Sequence, residues 1–127
     1  MIRKFWRKHQ ERIQAWLSET TTFLIKRNRN RGYSDLTHTF IHKENLASYM
    51  FAHALPKWLY PEYRNNANNI IFVDSIAQHN RVDEQVAWNH QLVISLIQKG
   101  KLAEYLRMQR EKEHGIRKPL DCYDILD

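Results

Sequence analysis

The sequence predicts a mainly α fold, a compact single domain of four or five helices over residues 1–127. A chain of 127 residues is long enough for one hydrophobic core and short for two. It has only three glycines and three prolines, on which the tight turns of sandwiches and barrels depend. Apolar residues instead recur at helical spacing along several stretches. The main alternative is an α+β fold with a small hairpin at residues 20–42.

The strongest helical pattern runs from Arg81 to Gly115. Asp83 and Glu84 stand where a helix N-terminus favours negative charge. Gly100 is expected to cap or kink the helix, and Gly115 to end it. The buried stripe is predicted to comprise Val82, Val86, Trp88, Leu92, Val93, Leu96, Ile97, Leu102, Tyr105 and Leu106.

Residues 2–17 predict a basic amphipathic helix, with cations on the face opposite an apolar stripe. We expect the stripe to pack on the core, so that deleting residues 1–17 would unfold the domain. A helix lying on a membrane surface and a targeting presequence are the alternatives. The apolar stripe comprises Ile2, Phe5, Trp6, His9, Ile13, Trp16 and Leu17.

Residues 18–33 are ambiguous. The β-favouring run from Thr20 to Ile25 fits a hairpin, whereas Thr20, Leu24 and Arg27 continue the helical stripe. We favour the helix, with Gly32 as its C-terminal stop, because glycine is scarce in this chain.

A second helical pattern opens at Ser34 or Asp35 and ends before Pro56. The alternative is a strand at residues 35–42 followed by a shorter helix capped by Asn45. Residues 56–64 should form a rigid aromatic corner of about one helical turn. The buried face of the predicted helix comprises Leu36, Phe40, Ala47, Met50, Phe51 and Leu55.

The asparagine-rich residues 65–69 predict a break in regular structure. Ile70 to Val73 then fit a short buried strand, or the first turn of a helix that continues through Gln78. The tail at residues 116–127 lacks periodicity but contains apolar residues, so we expect it to dock on the domain. Its Cys122 has no sequence neighbour that would activate a nucleophile.

Positive charge is concentrated near the N-terminus. The net charge is +6, and residues 1–31 contribute nine basic against two acidic residues. Such a segment indicates a contact surface for an anionic partner, nucleic acid or a ribonucleoprotein. Tyr33 could stack on a base. The predicted binding residues are Arg3, Lys4, Arg7, Lys8, Arg12, Lys26, Arg27, Arg29, Arg31 and Tyr33.

Composition limits the cellular compartment, the membrane contacts and the cofactors that are expected for the protein. The single cysteine excludes an intramolecular disulfide and favours the cytoplasm or another reducing compartment, with organellar import left open. No apolar run reaches the ~18 residues of a transmembrane helix, so membrane contact would be peripheral and through the first helix. The glycines are isolated, so no phosphate-binding loop and no cofactor are expected.

His38 and His42 have the spacing of a zinc-binding pair on one helical face. In metalloproteases of this pattern a glutamate follows the first histidine, whereas here Thr39 follows it. We predict no metal site.

Arg107 and His114 enclose the octapeptide RMQREKEH. Its spacing resembles the Rx4–6H motif of metal-independent HEPN ribonucleases. The resemblance implies that Arg107 would hold a phosphate and that His114 would move a proton of the ribose hydroxyl.

Residues 41–48, IHKENLAS, resemble the H-x-x-N-L stretch of DNA ADP-ribosyltransferase toxins. The similarity covers under a tenth of the chain, and no catalytic glutamate can be placed. No residue role is therefore carried over from that family.

These features favour a non-enzymatic binding protein that docks its basic N-terminal face on nucleic acid or a ribonucleoprotein. The alternative is an interaction subunit or inhibitor whose basic face meets an acidic protein. Trp58, Tyr60 and Tyr63 of the aromatic corner would then be its hot spot. A third hypothesis is a ribonuclease that uses Arg107 and His114.

Overall fold

The computed structural model describes residues 2–87 and 89–115, with side chains from residue 6 onward. Trp88, Cys122 and the predicted docked tail at residues 116–127 lie outside the described residues. The fold is mainly α, as predicted, with a small antiparallel sheet. Within the described ranges its helices are α1 (Ile2–Arg29), α2 (Ile76–Val86), α3 (His90–Lys99) and α4 (Leu102–Glu113), and its strands are β1 (Phe51–His53) and β2 (Ile70–Phe72).

Helix α1 continues without interruption through residues 18–29, so the helical interpretation of this segment is confirmed. Its end has the hydrogen bonds of a Schellman motif: the amide of Gly32 donates to the carbonyl of Arg27, and that of Arg31 to Asn28. Arg31 holds the left-handed position, with φ at 56°, and Gly32 follows at 87°. A Cβ on Gly32 would lie 2.6 Å from the ring of Phe40, so glycine is required there.

The helix predicted over residues 34–55 is wrong. This segment forms a turn, a single β-bridge between Tyr33 and Phe40, two 3-10 turns and strand β1. The hydroxyls of Ser34 and Thr37 bind each other at 2.7 Å, and side chains that bond locally compete with helix formation. The predicted apolar face is nevertheless largely buried, with Phe40 as an exposed exception.

The small sheet pairs β1 with β2 in antiparallel register, Phe51 opposite Phe72 and His53 opposite Ile70. The strand interpretation of Ile70 to Val73 is therefore correct for the first three residues. The connection between the strands contains the predicted aromatic corner, which includes a 3-10 turn at Pro61–Tyr63. The buried side chain of Asn69 fixes this connection. Its Oδ1 accepts from the backbone amide of Leu55, and its Nδ2 donates to the carbonyls of Leu55 and Tyr63.

In the C-terminal third, the first helix begins at Ile76, before the predicted start at Arg81, and the segment is divided into three helices. Ser75 caps α2 through a 3.2 Å bond from the amide of Gln78, so Asp83 and Glu84 lie inside that helix and not at its N-terminus. Asn89 caps α3 in the same way. Gly100 ends α3 in the left-handed conformation, as expected.

The core has two adjoining parts, one on either side of the small sheet. The larger part contains most of the stripe predicted for the C-terminal third, which is confirmed for Val82, Val86 and Val93. The smaller part contains Ile70 and Phe72. The larger part comprises Leu36, Ala52, Ala54, Leu55, Ile71, Val73, Val82, Val86, Val93, Ile97, Leu102 and Leu106.

The C-terminal half of helix α1 packs on the rest of the domain, here called the body. Phe23 stacks on Phe51 with ring centroids 4.7 Å apart, and Lys26 is buried. Residues 2–18, which we call the arm, have an exposed apolar stripe: Ile13, Trp16 and Leu17 are all solvent-accessible. The expectation that this stripe packs on the core is therefore wrong for Ile13, Trp16 and Leu17.

No helix in the described ranges is both long and apolar enough to cross a membrane.

Candidate anion-binding cleft

A polar cleft of about 290 Å3 lies where the C-terminal end of α1 meets α4. The turn after α1 and the joint between α3 and α4 complete its walls. We call it the basic cleft, since three cations line it against two carboxylates. Its lining comprises Lys26, Arg29, Asn30, Tyr33, Ser34, Asp35, His38, Asn68, Gly100, Leu102, Ala103, Glu104 and Arg107.

Arg29 is held at one wall of the basic cleft by a neutral partner. Its Nη1 donates to Oδ1 of Asn68 at 2.9 Å. The amide nitrogen of Asn68 in turn donates to the carbonyl of Ile97 near the end of α3. The guanidinium is therefore oriented while its charge is not neutralised.

Arg107 of α4 is held at another wall by His38. Its Nη1 donates to Nε2 of His38 at 2.7 Å. Arginine has no acceptor, so Nε2 accepts and the proton of the neutral imidazole lies on Nδ1. Among the described residues, no carboxylate forms an ion pair with either Arg29 or Arg107.

His38 occupies a strained backbone position, with φ at 53°. Among the described residues, only it and Arg31 are non-glycine residues with positive φ. Hydroxyl groups stabilise the turn: Thr37 and Thr39 both donate to Oδ2 of Asp74, at 2.7 and 3.0 Å. Such strain persists only where the surroundings fix it, and it concentrates at functional sites.

Lys26 lines the basic cleft but has no charge to offer a ligand. Its Nζ lies 3.1 Å from Oδ2 of Asp35, and the two side chains are only 7% and 8% exposed. Asp35 also accepts from the side chain of Asn30 and from the amide of Phe72. The charge of Lys26 is therefore used within the fold, where the ion pair and the bond from Phe72 connect α1 to β2 through Asp35.

The other predicted residues of this segment differ in accessibility. Arg27 is half-buried and donates to the carbonyl of Ile41 at 3.3 Å, so it stabilises the turn. Arg31 is exposed. Tyr33 is 47% exposed at the cleft, and its ring contacts that of Phe40. Arg29, Arg31 and Tyr33 are thus accessible to solvent.

The remaining predicted cations lie on the arm. Arg7, Lys8 and Arg12 are exposed. The backbones of Arg3 and Lys4 belong to α1, and their side chains are outside the described set. The single basic face predicted from the sequence is therefore divided between the arm and the basic cleft.

The aromatic corner is not one exposed patch. Trp58 is 81% exposed, but Tyr60 is half-buried and its hydroxyl lies 3.0 Å from Nδ1 of His90. Tyr63 packs against the larger part of the core. Trp58 borders an open groove of about 800 Å3 that also contains His53.

A charged cluster ties α1 to this corner. Glu19 accepts from Lys57 at 3.0 Å and from Arg64 at 2.8 Å. Burial raises the pKa of Glu19, but the hydrogen bonds from Lys57 and Arg64 outweigh it, and the net pKa is below 4.5. Burial lowers the pKa of His53 below 6.5, although Nε2 of His53 lies 3.0 Å from the carbonyl of Arg64.

The histidine motifs are arranged differently from the sequence patterns. His38 and His42 are not on a helix, and His42 packs edge-on against Phe40. No group of three or more His, Cys, Asp or Glu in the described ranges could hold a metal ion. His114 follows α4, and its separation from Arg107 corresponds to about 10 Å of helix rise.

Sequence reasoning singled out His38 and Arg107 separately and missed their pairing. Each was assigned to a different motif with a partner close in sequence. Only the tertiary fold brings the two side chains together, since 69 positions separate them.

Comparisons with protein families, with curated proteins and with solved structures return no match to this chain.

Proposed function

We propose that the protein binds single-stranded nucleic acid through phosphate contacts in the basic cleft. The observation that carries this proposal is the pair of guanidinium groups, Arg29 and Arg107. Each is oriented by a neutral hydrogen-bond partner and retains its full charge. Phosphate is the anion that such forked donors bind best.

The size and lining of the cleft favour a single strand. A volume of about 290 Å3 is at the lower end of small-molecule pockets, so it suits one phosphate with part of its nucleotide. A duplex would contact a longer surface. The exposed ring of Tyr33 is available for stacking on an adjacent base, a contact that tolerates any sequence.

Charge outside the cleft supports association at a distance. The net charge of +6 attracts polyanions, and Arg31 is exposed directly after the lining residue Asn30 in sequence. Asp35 is neutralised by Lys26, which leaves Glu104 as the unpaired carboxylate of the described lining. As part of this proposal, we expect the protein to be in a reducing compartment, either the cytoplasm or an organelle.

Fluorescence anisotropy with labelled single-stranded RNA and DNA tests the proposal. We expect binding at ~50 mM salt that weakens steeply towards ~200 mM. The variant Arg29→Gln/Arg107→Gln should bind at least about tenfold more weakly and have a smaller salt slope, by roughly 0.7 per lost phosphate contact. The matched control is Lys43→Gln/Lys112→Gln, which removes equal charge from exposed positions outside the cleft lining.

Two results would contradict the proposal. One is the absence of binding at ~50 mM salt. The other is an equal loss of affinity in the cleft variant and in the control, which would mean that net charge and not the cleft governs binding.

A second candidate function is recognition of a protein partner at Trp58. The specific observation is that this tryptophan is 81% exposed beside the open groove. Exposed tryptophans of this kind are frequent interaction hot spots. We propose this function as the alternative should the basic cleft bind no nucleic acid.

A further inference from the structure

The arm has an exposed apolar stripe that continues past the body. Trp16 is 63% exposed, and Ile13 and Leu17 are more than 40% exposed. Leu24, which is one heptad beyond Leu17, is also exposed where α1 reaches the body. Their spacing places these residues along one side of α1.

Ile13, Leu17 and Leu24 lie on a different side of α1 from the one that contacts the body, whereas Trp16 is one heptad before Phe23 and lies in line with it. Glu19, Phe23 and Lys26 define the body-facing side through their contacts with Lys57, Phe51 and Asp35. At about 100° per residue, Ile13 lies about a third of a turn away from Glu19. A flat surface could therefore meet Ile13, Leu17 and Leu24 beside the body.

Cations flank and oppose this stripe on the arm. Arg7 and Lys8 are exposed together with Arg12, and Glu11 is the one acidic residue of the first 18. The arm thus combines tryptophan and aliphatic residues on one side with arginine and lysine on its flank and its opposite side. This is the distribution of helices that lie in the interface of anionic bilayers.

We propose that the arm binds an anionic lipid surface, with its apolar stripe in the acyl boundary and its cations at the headgroups. A second copy of the chain is a poorer occupant, because pairing two arms would bring like charges together at close range. Nucleic acid would satisfy the cations but leave the aliphatic side chains uncovered.

Co-sedimentation of the full chain with vesicles tests this proposal. We expect binding to phosphatidylcholine vesicles that contain about 30 mol% phosphatidylserine and little binding to pure phosphatidylcholine. Ile13→Ser/Leu17→Ser should reduce partitioning roughly tenfold or more. The control Ile25→Ser/Ile76→Ser changes two isoleucines that are exposed outside the stripe, and should bind as the unmodified chain does.

A second set of variants tests the contribution of the arm's cations to vesicle binding. Arg7→Gln/Lys8→Gln/Arg12→Gln should remove the preference for phosphatidylserine, whereas Lys43→Gln/Lys99→Gln/Lys112→Gln should keep most of it.

Absence of vesicle binding by the full chain overturns the proposal. So does dimerisation in analytical ultracentrifugation that Ile13→Ser/Leu17→Ser abolishes, since a second copy would then cover the stripe. Loss of RNA binding in that variant, without loss of vesicle binding, would assign the arm to nucleic acid instead.

Discussion

Arg107 donates a hydrogen bond to His38 across 2.7 Å, and this bond joins α4 to the strained turn after α1. The two residues define one wall of the basic cleft. Since His38 orients Arg107, replacing His38 should change the stability of the protein and its affinity for a ligand in opposite directions.

We predict that His38→Gly raises stability by up to about 1 kcal/mol, because glycine adopts a positive φ without strain. The same change should weaken RNA binding severalfold, since Arg107 loses its partner and must be ordered by the ligand. Urea unfolding and anisotropy measure the two effects. An unchanged salt slope is expected, because the number of phosphate contacts stays the same. Tighter RNA binding by this variant would show that His38 competes with phosphate for Arg107.

Lys26→Met should destabilise the protein by about 3–5 kcal/mol, because it leaves the buried carboxylate of Asp35 without its cation. The control is Lys57→Met, whose partly exposed ion pair with Glu19 should cost less than about 1 kcal/mol. Urea denaturation gives both values. Similar losses in the two variants would contradict the assignment of Lys26 as a structural residue.

Stability should fall in two stages on acidification. The folded pKa of His53 lies below 6.5, so the unfolded state takes up its proton first, and stability declines as pH drops from 6.5 towards the folded value. The folded pKa of Glu19 lies below 4.5, so its contribution is complete above 4.5 and is lost as pH falls through the folded value.

Urea midpoints from neutral to acidic pH should resolve these stages. His53→Gln is expected to remove the first stage and to leave the second. Glu19→Gln is expected to remove the second stage and to leave the first, apart from the small effect of the Glu19 charge on the pKa of His53. A midpoint that stays constant from pH 7 to 5 in the unmodified protein would refute the role of His53.

Deletion of residues 1–17 should leave a folded protein that melts cooperatively at nearly the same temperature. We expect this outcome in place of unfolding because Ile13, Trp16 and Leu17 are exposed. The truncated chain should retain RNA binding in the basic cleft and lose vesicle binding. Circular dichroism on heating measures the first property. Loss of the cooperative transition would show that the arm packs on the protein in solution.

Trp58→Ala should change the melting temperature little, since the side chain is mostly in solvent. A pull-down with this variant tests the second candidate function: a partner captured by the unmodified chain should be lost. Tyr63→Ala is the contrasting variant, because Tyr63 packs on the core and its truncation should lower stability markedly.

Local patterns predicted the C-terminal third well. The stripe through Val82, Val86 and Ile97 is buried, and Gly100 caps a helix as expected. Periodicity alone could not locate Ser75 and Asn89, because a cap is defined by a hydrogen bond and not by an apolar period. The four helices of the described residues agree with the predicted four or five, but their boundaries differ from the predicted ones.

The segment after α1 was predicted poorly for a physical reason. Its apolar spacing fits a helix, yet the tertiary bonds of Thr37 and Thr39 to Asp74 favour an irregular turn. The same limitation applies to the cleft. Charge density selected Arg29 and Lys26 alike and could not distinguish them, although the charge of Lys26 is neutralised by a residue nine positions later.

The continuity of α1 makes it a molecular spacer. Trp16 on the arm and Arg29 at the cleft belong to one uninterrupted helix, so roughly 20 Å of helix separates them along its axis. A strand held at Arg29 and a bilayer held at Trp16 would therefore be kept at a set distance from each other. Inserting residues into the exposed part of α1 would change that distance by a calculable step, and would rotate one ligand about the helix relative to the other.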